Sequence, residues 1–382
     1  MTRPPPTPAQ DTSAPPVIHR QLRALVETMG MGSALGPHIQ ACAAFRAGLD
    51  RMRGARDFHY FAGEENEKLE LRVAALPVAT FGFSGVGRLV AIACETFQDL
   101  RERLAPAAIT RETPLFLALP DPLDLGIPVS PELERNEERR LESLCRRVLS
   151  LTFENLGWTW PGGAWKAMPG GHTAFARALQ AAGAYLAGRP GGSCVVAAVD
   201  SLLDPQLLEP MLLQRRLKTE DNPVGIIPGE AGVALLLRAA DRLPVADLRS
   251  RALIRGVSLT APPDEELPPD GRALAACVRA LLPAQELETE PFWVSDHTGE
   301  EERALEWGNL QVLLKGEPPH WGTFDAWFPV MGFGDTGAVS GGVGLCLAAR
   351  ALERGYAPAR SILVLSAAED GGRSAILLTS SV

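Results

Sequence analysis

A cassette that occurs twice constrains the fold of this chain more than any other feature. Each copy consists of a glycine-containing turn, a stretch of small residues and two apolar runs. In the first copy these parts lie at residues 170–173, 174–188, 194–199 and 232–237, and in the second at 334–337, 338–355, 362–365 and 375–378. A duplicated half-domain is the simplest account of this pattern.

Neither small-residue stretch has a polar face. Residues 173–187 contain one Arg and one Gln, and residues 338–349 contain no charged residue. A helix that is apolar all round must be buried on every side. The apolar runs that follow show no alternation, which is typical of strands covered on both faces. The sequence therefore predicts an α/β fold of five layers, α/β/α/β/α, with the two helices in the central layer.

Composition bounds the class of protein. The chain has 382 residues, 46% of them hydrophobic, which is enough for a large core shared by two similar halves. Its net charge of -9, with no stripe of Lys and Arg, opposes nucleic-acid binding. No segment approaches the roughly 20 apolar residues of a membrane span, and the N-terminus lacks the apolar core of a signal peptide. We expect a cytoplasmic protein without a nucleic-acid or membrane partner.

The six cysteines stand singly, mostly among Ala, Leu and Val, and no two form a CxxC pair. This usage is typical of reduced, buried thiols rather than of a disulfide frame or a zinc site. Gly30 and Gly32 do not continue into GxGxxG, so we predict a close-packed turn there and not a dinucleotide site. No metal and no cofactor is expected.

Three regions are predicted along the chain. Residues 1–17 form a Pro-rich tail that cannot bury surface and is expected to be disordered. Residues 18–240 make the N-terminal half and residues 241–382 the C-terminal half. Within them the pattern predicts a helix at 35–53, a strand with a Pro interruption at 71–83, a helix at 87–104, a strand at 114–120, an outer helix at 131–149 and connectors at 241–251 and 261–271. Asp270 is predicted as the N-cap of a further helix that ends at Leu282.

Four motifs carry a resemblance to a known family. They are MGMGSALG at 29–36 with AAFRAG at 43–48, DSLLD at 200–204, GIIPGEA at 225–231 and GDTGAVSG at 334–341. Together they resemble β-ketoacyl synthases of the thiolase-like superfamily. The resemblance implies the thiolase-like duplicated five-layer fold. It also implies subunits paired edge to edge through the sheet, as a homodimer or as a heterodimer with a related chain.

The resemblance further implies where catalytic groups would stand. The family forms a thioester on a Cys at the start of the central helix, and two His then polarise the donor carbonyl. Here His172 or a direct neighbour corresponds to the Cys, Asp296 to the first His and Asp335 to the second. A one-residue shift would put His297 at the first His position. Because a carboxylate donates no hydrogen bond unless it is protonated, we expect no catalytic triad at His172, Asp296 and Asp335.

The leading hypothesis is a catalytically inactive ketosynthase-like protein that acts as a scaffold, adaptor or non-catalytic partner. Two contexts are open: the chain-length-determining partner of a biosynthetic ketosynthase, and an accessory protein for a type VI secretion effector. The alternative is an acyltransferase or condensing enzyme of the β-ketoacyl synthase type with an altered site, in which His172 acts as nucleophile or base. Whether the protein is an enzyme therefore stays open, with inactivity favoured.

Other interpretations of the same residues are weaker. A Ser/His/Asp site built from His172, Ser295 and Asp296 lacks the GxSxG elbow, and two Asp with one His match no metal-binding spacing. The purely structural interpretation is that His172 caps its helix or forms a hydrogen bond to Asp296 or Asp335. Trp158, Trp160 and Trp165 are expected either as an exposed lid or partner surface, or as anchors in the core.

Overall fold

The computed structural model describes residues 16–65, 67–241, 243, 251–263, 268–282, 290–315, 317, 322 and 324–380. The strands are β1 (Val17–Ser33), β2 (Arg53–Ala62), β3 (Glu67–Val73), β4 (Leu115–Ala118), β5 (Trp165–Met168), β6 (Ser193–Ser201), β7 (Glu230–Ala239), β8 (Ala252–Thr260), β9 (Phe292–Ser295), β10 (Ala326–Trp327), β11 (Ser361–Ala367) and β12 (Arg373–Ser380). The helices are α1 (His38–Arg46), α2 (Gly85–Arg101), α3 (Pro131–Glu134), α4 (Glu137–Asn155), α5 (Ala174–Leu186), α6 (Pro205–Leu213), α7 (Arg272–Leu281), α8 (Glu301–Leu314), α9 (Val330–Phe333) and α10 (Ser340–Glu353).

One mixed sheet of ten strands runs through the molecule in the order β10-β9-β11-β12-β8-β1-β7-β6-β4-β5. Its two sides repeat each other. In β5-β4-β6-β7-β1 the first two pairings are parallel and the next two antiparallel, and β10-β9-β11-β12-β8 has the same sequence of directions. The topology is therefore duplicated, as the repeated cassette predicts.

Strand β1 joins the two sides of the sheet. Its first part pairs with β8 and its last part with β7, with shifts of register between Gln21 and Ala24 and between Val26 and Thr28. The turn predicted at Gly30 and Gly32 is wrong, since both residues lie inside this strand. A Cβ on Gly30 would stand 2.4 Å from the Leu100 backbone nitrogen. The glycines let the backbone of α2 pack directly on β1.

Five layers stack as predicted. The central layer contains α5 and α10, whose side chains share one buried cluster with strands from both sides of the sheet. Every residue of α10 from Ser340 to Ala349 is buried. Helices α2 and α4 cover one outer face, and α7 and α8 cover the other. The expected fold class, a duplicated five-layer α/β/α/β/α body, is confirmed.

Several element boundaries differ from the prediction. The strand predicted at 71–83 is wrong beyond Val73, because the chain turns at Pro77 and Val78 takes a left-handed φ of 68°. The helix predicted at 35–53 is shorter, and the one at 131–149 is divided into α3 and α4, with the Asn136 side chain capping α4 by accepting from the Arg139 backbone nitrogen at 3.0 Å.

The start of α7 also differs in detail. Gly271, with a φ of 80°, is the N-cap, while Asp270 accepts from the Arg272 backbone nitrogen at 2.9 Å. Most of the predicted tail and parts of both connectors, at 242, 244–250 and 264–267, lie outside the described residues. Among the helices that the structure describes, none is both long and apolar enough to span a bilayer.

Candidate functional site

The fold brings the three sequence-predicted positions to one end of the central helices. His172 lies in the turn directly before α5, and Asp335 lies just before the short 3-10 turn at 337–339 that leads into α10. Asp296 follows the last residue of β9. Because α5 and α10 occupy equivalent places in the two halves, their first residues meet at the same point of the duplicated fold.

His172 and Asp335 form a buried ion pair. The Nε2 atom of His172 lies 2.7 Å from Oδ1 of Asp335, and the two residues are only 8% and 2% exposed. Burial alone would lower the pKa of His172, but the charge and hydrogen bond of Asp335, together with the charge of Asp296, raise this pKa to about 9. Burial would likewise raise the pKa of Asp335, yet His172 holds it below its ordinary value. At neutral pH the pair is therefore an imidazolium facing a carboxylate.

Asp296 has other partners. Its Oδ1 accepts from the Arg303 guanidinium at 2.6 Å, and its Oδ2 accepts from the Ala367 backbone nitrogen at 3.0 Å. Arg303 also donates to the Ala367 carbonyl oxygen at 3.1 Å. The sequence analysis missed Arg303, whose only signal was its place on an acidic helix close after Asp296. Asp296 acts on His172 through its charge and not through a hydrogen bond within the described residues.

His297, the residue that a one-position shift would select, is turned toward different neighbours. Its ring contacts Phe328 edge to face, with 5.6 Å between the ring centroids. Burial, reinforced by the charge of Arg303, lowers its pKa. Its backbone nitrogen donates to the Ser295 hydroxyl at 3.3 Å. Within the part of the chain that the structure describes, no hydrogen bond links Ser295 to His172, so the two do not form a nucleophile and base pair.

A third buried acid, Asp200, completes the site and was not predicted as part of it. Its Oδ2 accepts from the Ala338 backbone nitrogen at 2.8 Å and its Oδ1 from the Ser201 nitrogen at 2.7 Å. Burial raises its pKa to about 6, although these two bonds act against the rise. Gly337 must be glycine here, because a Cβ would lie 2.3 Å from the carboxylate. The available signal was an acid at the end of the otherwise apolar run of β6.

None of the six thiols stands at the start of α5. Cys194 lies in β6 and Cys346 in the middle of α10, and burial raises the pKa of Cys194 to about 12 and that of Cys346 well above its ordinary value. Cys42, Cys145 and Cys277 are buried in the same way, and Cys94 is half-buried. The place that the resemblance gives to a nucleophilic sulfur holds the His172 imidazolium.

The tryptophan cluster packs inward. Trp158 and Trp160 meet edge to face with 5.4 Å between centroids, and Trp160 stacks on Phe153 at 5.1 Å. Phe97, which is fully buried in α2, contacts Trp160 at 6.0 Å. These contacts favour the core-anchor alternative over a free lid. The described residues bring together no set of three His, Cys, Asp or Glu side chains suited to a metal ion.

Comparisons with known proteins give the fold a family context. No family model matches the chain, and no curated protein matches it. Among solved structures, the ishigamide ketosynthase/chain length factor is 18% identical with a TM-score of 0.64, over 94% of this chain and 99% of that one. A ketosynthase from module 6 of the bacillaene synthase of Bacillus subtilis 168 is 13% identical with a TM-score of 0.69, over 94% and 72% of the two chains.

A third structure is that of AntDE:AntF, a type II polyketide synthase acyl-carrier protein in complex with its ketosynthase bound to the hexaketide. It is 13% identical with a TM-score of 0.68, over 94% of this chain and 100% of that one. At these identities the likeness shows the fold. The chain has the thiolase-like fold of ketosynthases and chain length factors, as the sequence resemblance predicts.

Proposed function

We propose that this protein is a catalytically inactive ketosynthase-like protein that works by binding, as the non-catalytic partner or scaffold of a related chain. The ion pair of His172 and Asp335 at the start of α5 is the observation that carries the proposal. Condensation needs a nucleophile at this helix start, where the helix dipole and backbone amides favour a thiolate. An imidazolium with a pKa of about 9 has no free lone pair at neutral pH.

The acids at the two other positions oppose the chemistry as well. Condensation develops negative charge on an enolate oxygen, which donors or cations stabilise. The pKa of Asp335 is held below its ordinary value, so this carboxylate is an anion that only accepts hydrogen bonds. Asp296 uses both of its oxygens on Arg303 and Ala367. The alternative of an altered condensing enzyme or acyltransferase would need His172 to lose its proton in this environment.

The partner surface that we propose is the outer edge of β5, the last strand of the sheet. The carbonyl oxygens of Ala164 and Met168 accept from β4, at Leu115 and Leu119 respectively. The backbone N–H and C=O groups of successive residues in a strand point to alternate edges of that strand. The N–H groups of Trp165 and Ala167 therefore point away from β4. A strand of a second chain can add to this edge.

We propose a related ketosynthase chain as this partner, since it would supply the catalytic groups that this chain lacks. The structures similar to this chain include a ketosynthase/chain length factor and a ketosynthase in complex with its acyl-carrier protein. A homodimer would use the same edge. An accessory role for a type VI secretion effector stays a prediction from the sequence, and cytoplasmic localisation does too.

Acyl loading tests the inactive site directly. Purified protein is incubated with acyl-CoA and, separately, with acylated acyl-carrier protein, and its intact mass is measured beside an active ketosynthase treated in the same way. We expect no acyl adduct on this chain and a full adduct on the active enzyme. A stoichiometric adduct that disappears in the His172→Ala variant would refute the proposal.

Strand addition is tested by co-purification from the native cell. The tagged protein should recover a ketosynthase-like chain, and Ala167→Pro should abolish the recovery because it removes an outward N–H while leaving the bonds to β4 intact. Ala167→Ser keeps that N–H and serves as the matched control. Recovery that is unchanged in Ala167→Pro, or a protein that is isolated only as a homodimer, would contradict this partner.

A further inference from the structure

Two adjoining cavities lie at the far end of α10 from His172. Arg350 lies in the last turn of this 14-residue helix, about 20 Å from its start, and Arg354 is the residue directly after its end. The first cavity, called here the basic cavity, has a volume of about 530 Å³. It is lined by residues of α1 and of the end of α10, chiefly Ile39, Cys42, Arg46, Arg350, Arg354 and Tyr356.

The second cavity, called here the apolar cavity, has a volume of about 480 Å³. Its distinctive lining is hydrophobic: Phe45, Leu49, Trp327, Phe328, Met331 and Leu347. Cys42, Arg46 and Tyr356 line both cavities, so the two share a boundary. Met331 is 71% exposed and Leu49 58% exposed, which leaves unusual apolar surface at the mouth.

Three arginines give the basic cavity its charge. Arg350, in the last turn of α10, and Arg354, its C-cap residue, both line this cavity. The Arg46 guanidinium, which comes from α1, lies 4.2 Å from the centre of the Tyr356 ring. Within the described residues, none of the three forms an ion pair with a carboxylate within 4.0 Å. Asp50, the acid that lines the apolar cavity, pairs with Arg72 at 3.4 Å.

The helix dipole explains only part of this cluster. Cations near the end of α10 offset its partial negative charge, which accounts for Arg350 and Arg354. Arg46 ends α1 and offsets the charge of that helix end in the same way. Helix dipoles do not explain why three arginines from two helix ends line one cavity, with Arg46 held over Tyr356 at its boundary with the apolar cavity. Stacking of this kind fixes a guanidinium in place before a ligand arrives, and so reduces the entropy lost on binding.

We propose that the two cavities together bind an amphiphile whose phosphate head lies among Arg46, Arg350 and Arg354 and whose alkyl or acyl chain lies in the apolar cavity. Guanidinium groups match phosphate oxygens in bidentate pairs, and three of them suit a dianionic head. Both volumes lie in the range of roughly 300–1,000 Å³ that is usual for ligand sites. This site is separate from the His172 site and does not depend on the proposed function.

Titration calorimetry with dodecyl phosphate, kept below its micelle concentration, tests the proposal on the full chain. The wild type should bind one equivalent with saturation. Arg350→Gln/Arg354→Gln should raise the Kd at least about tenfold, because each lost bond is one to a charged group. Arg46→Gln, on the other helix, is a second variant with the same expectation. Arg147→Gln removes a charge from the exposed face of α4 and should bind like the wild type.

Further ligands separate the two parts of the site. Met331→Glu should weaken the binding of dodecyl phosphate, while the binding of inorganic phosphate, which is weaker in the wild type, should stay unchanged. Dodecyl phosphate that fails to bind, or that binds folded wild type and arginine variants equally, overturns the proposal. If dodecyl maltoside binds as tightly as dodecyl phosphate, the role of the arginines is overturned. If inorganic phosphate binds as tightly as dodecyl phosphate, the role of the apolar cavity is overturned.

A final arm identifies the source of the amphiphile. Vesicles that contain phosphatidic acid are sedimented with the wild type and with Arg350→Gln/Arg354→Gln. Sedimentation of the wild type alone supports the site and assigns its ligand to a bilayer headgroup. If dodecyl phosphate binds in solution while the protein stays off the vesicles, the result supports the site and assigns its ligand to a free amphiphile.

Discussion

Replacing Asp335 by Asn removes the charge from the buried pair while keeping the size of the side chain. In the wild type, Asp335 accepts from His172 at 2.7 Å and from the Gly337 backbone nitrogen at 3.0 Å. Both bonds end on Oδ1, so the amide oxygen of Asn in the same place can still accept them. What changes is that a buried imidazolium loses its counterion, so burial drives His172 toward its neutral form.

The sign and size of the effect follow from the pKa of His172. Its folded value of about 9 lies above the ordinary 6.5, so its contribution to stability is complete below about pH 6.5 and is lost as the pH rises through about 9. At about 1.4 kcal/mol per pH unit, the gap corresponds to roughly 3 kcal/mol. Asp200, whose pKa is raised to about 6, titrates below this window. Asp335→Asn should therefore cost about 3 kcal/mol near pH 6.5 and less than about 1 kcal/mol near pH 9.5.

Urea unfolding, followed by near-UV circular dichroism at several pH values across this window, measures the free energy of unfolding of both proteins. Asp370→Asn is the control, because its pair with Arg177 at 3.9 Å is half-exposed and contributes little. NMR of labelled histidine, with His172→Asn for assignment, should give the imidazole a pKa near 9 that falls in Asp335→Asn. Equal pH dependence of stability in the wild type and Asp335→Asn would refute a charged pair.

Three further predictions concern the scaffold around the site. Gly30→Ala should lower the free energy of unfolding in urea by about 2 kcal/mol or more, because its Cβ would meet the backbone of α2. The control is Gly308→Ala, which should be neutral or stabilising because nothing lies within 4 Å of its Cβ. Equal changes in stability in the two variants would contradict the close packing of α2 on β1. Glu230→Gln should lower stability by about 3 kcal/mol because it breaks the buried pair with Arg88, and an unchanged midpoint would count against that pair. With a disulfide reagent at neutral pH, the native protein should show at most one slowly reacting thiol, Cys94, while unfolded protein shows six; two fast native thiols would disprove the burial.

The elements with the strongest patterns were predictable because their environment is uniform. The run at 338–349, which makes up most of α10, has no charge and is buried on all sides, and the unalternating runs that became β6 and β11 are covered on both faces. Burial of this kind leaves a direct trace in residue type. The Gly30 and Gly32 segment misled the prediction because glycine serves both tight turns and strands on which another backbone packs closely.

The positions of the site were predictable, but its contacts were not. The repeated cassette and the family motifs pointed to His172, Asp296 and Asp335, and the fold places all three at one end of the central layer. Sequence spacing left open which acid His172 would meet. The partners Arg303 and Asp200 came from α8 and β6, whose approach depends on how the layers stack.

The amino-acid sequence by itself determined the layer plan, the duplication and the absence of a thiol before α5, because these follow from local composition and order along the chain. Only the tertiary structure decided that Asp335 and not Asp296 pairs with His172, since that choice depends on separations of a few ångströms between segments 163 residues apart. It also decided the charge state of the pair. An imidazole is neutral or cationic according to the burial and the anions around it, and those are set by packing in three dimensions.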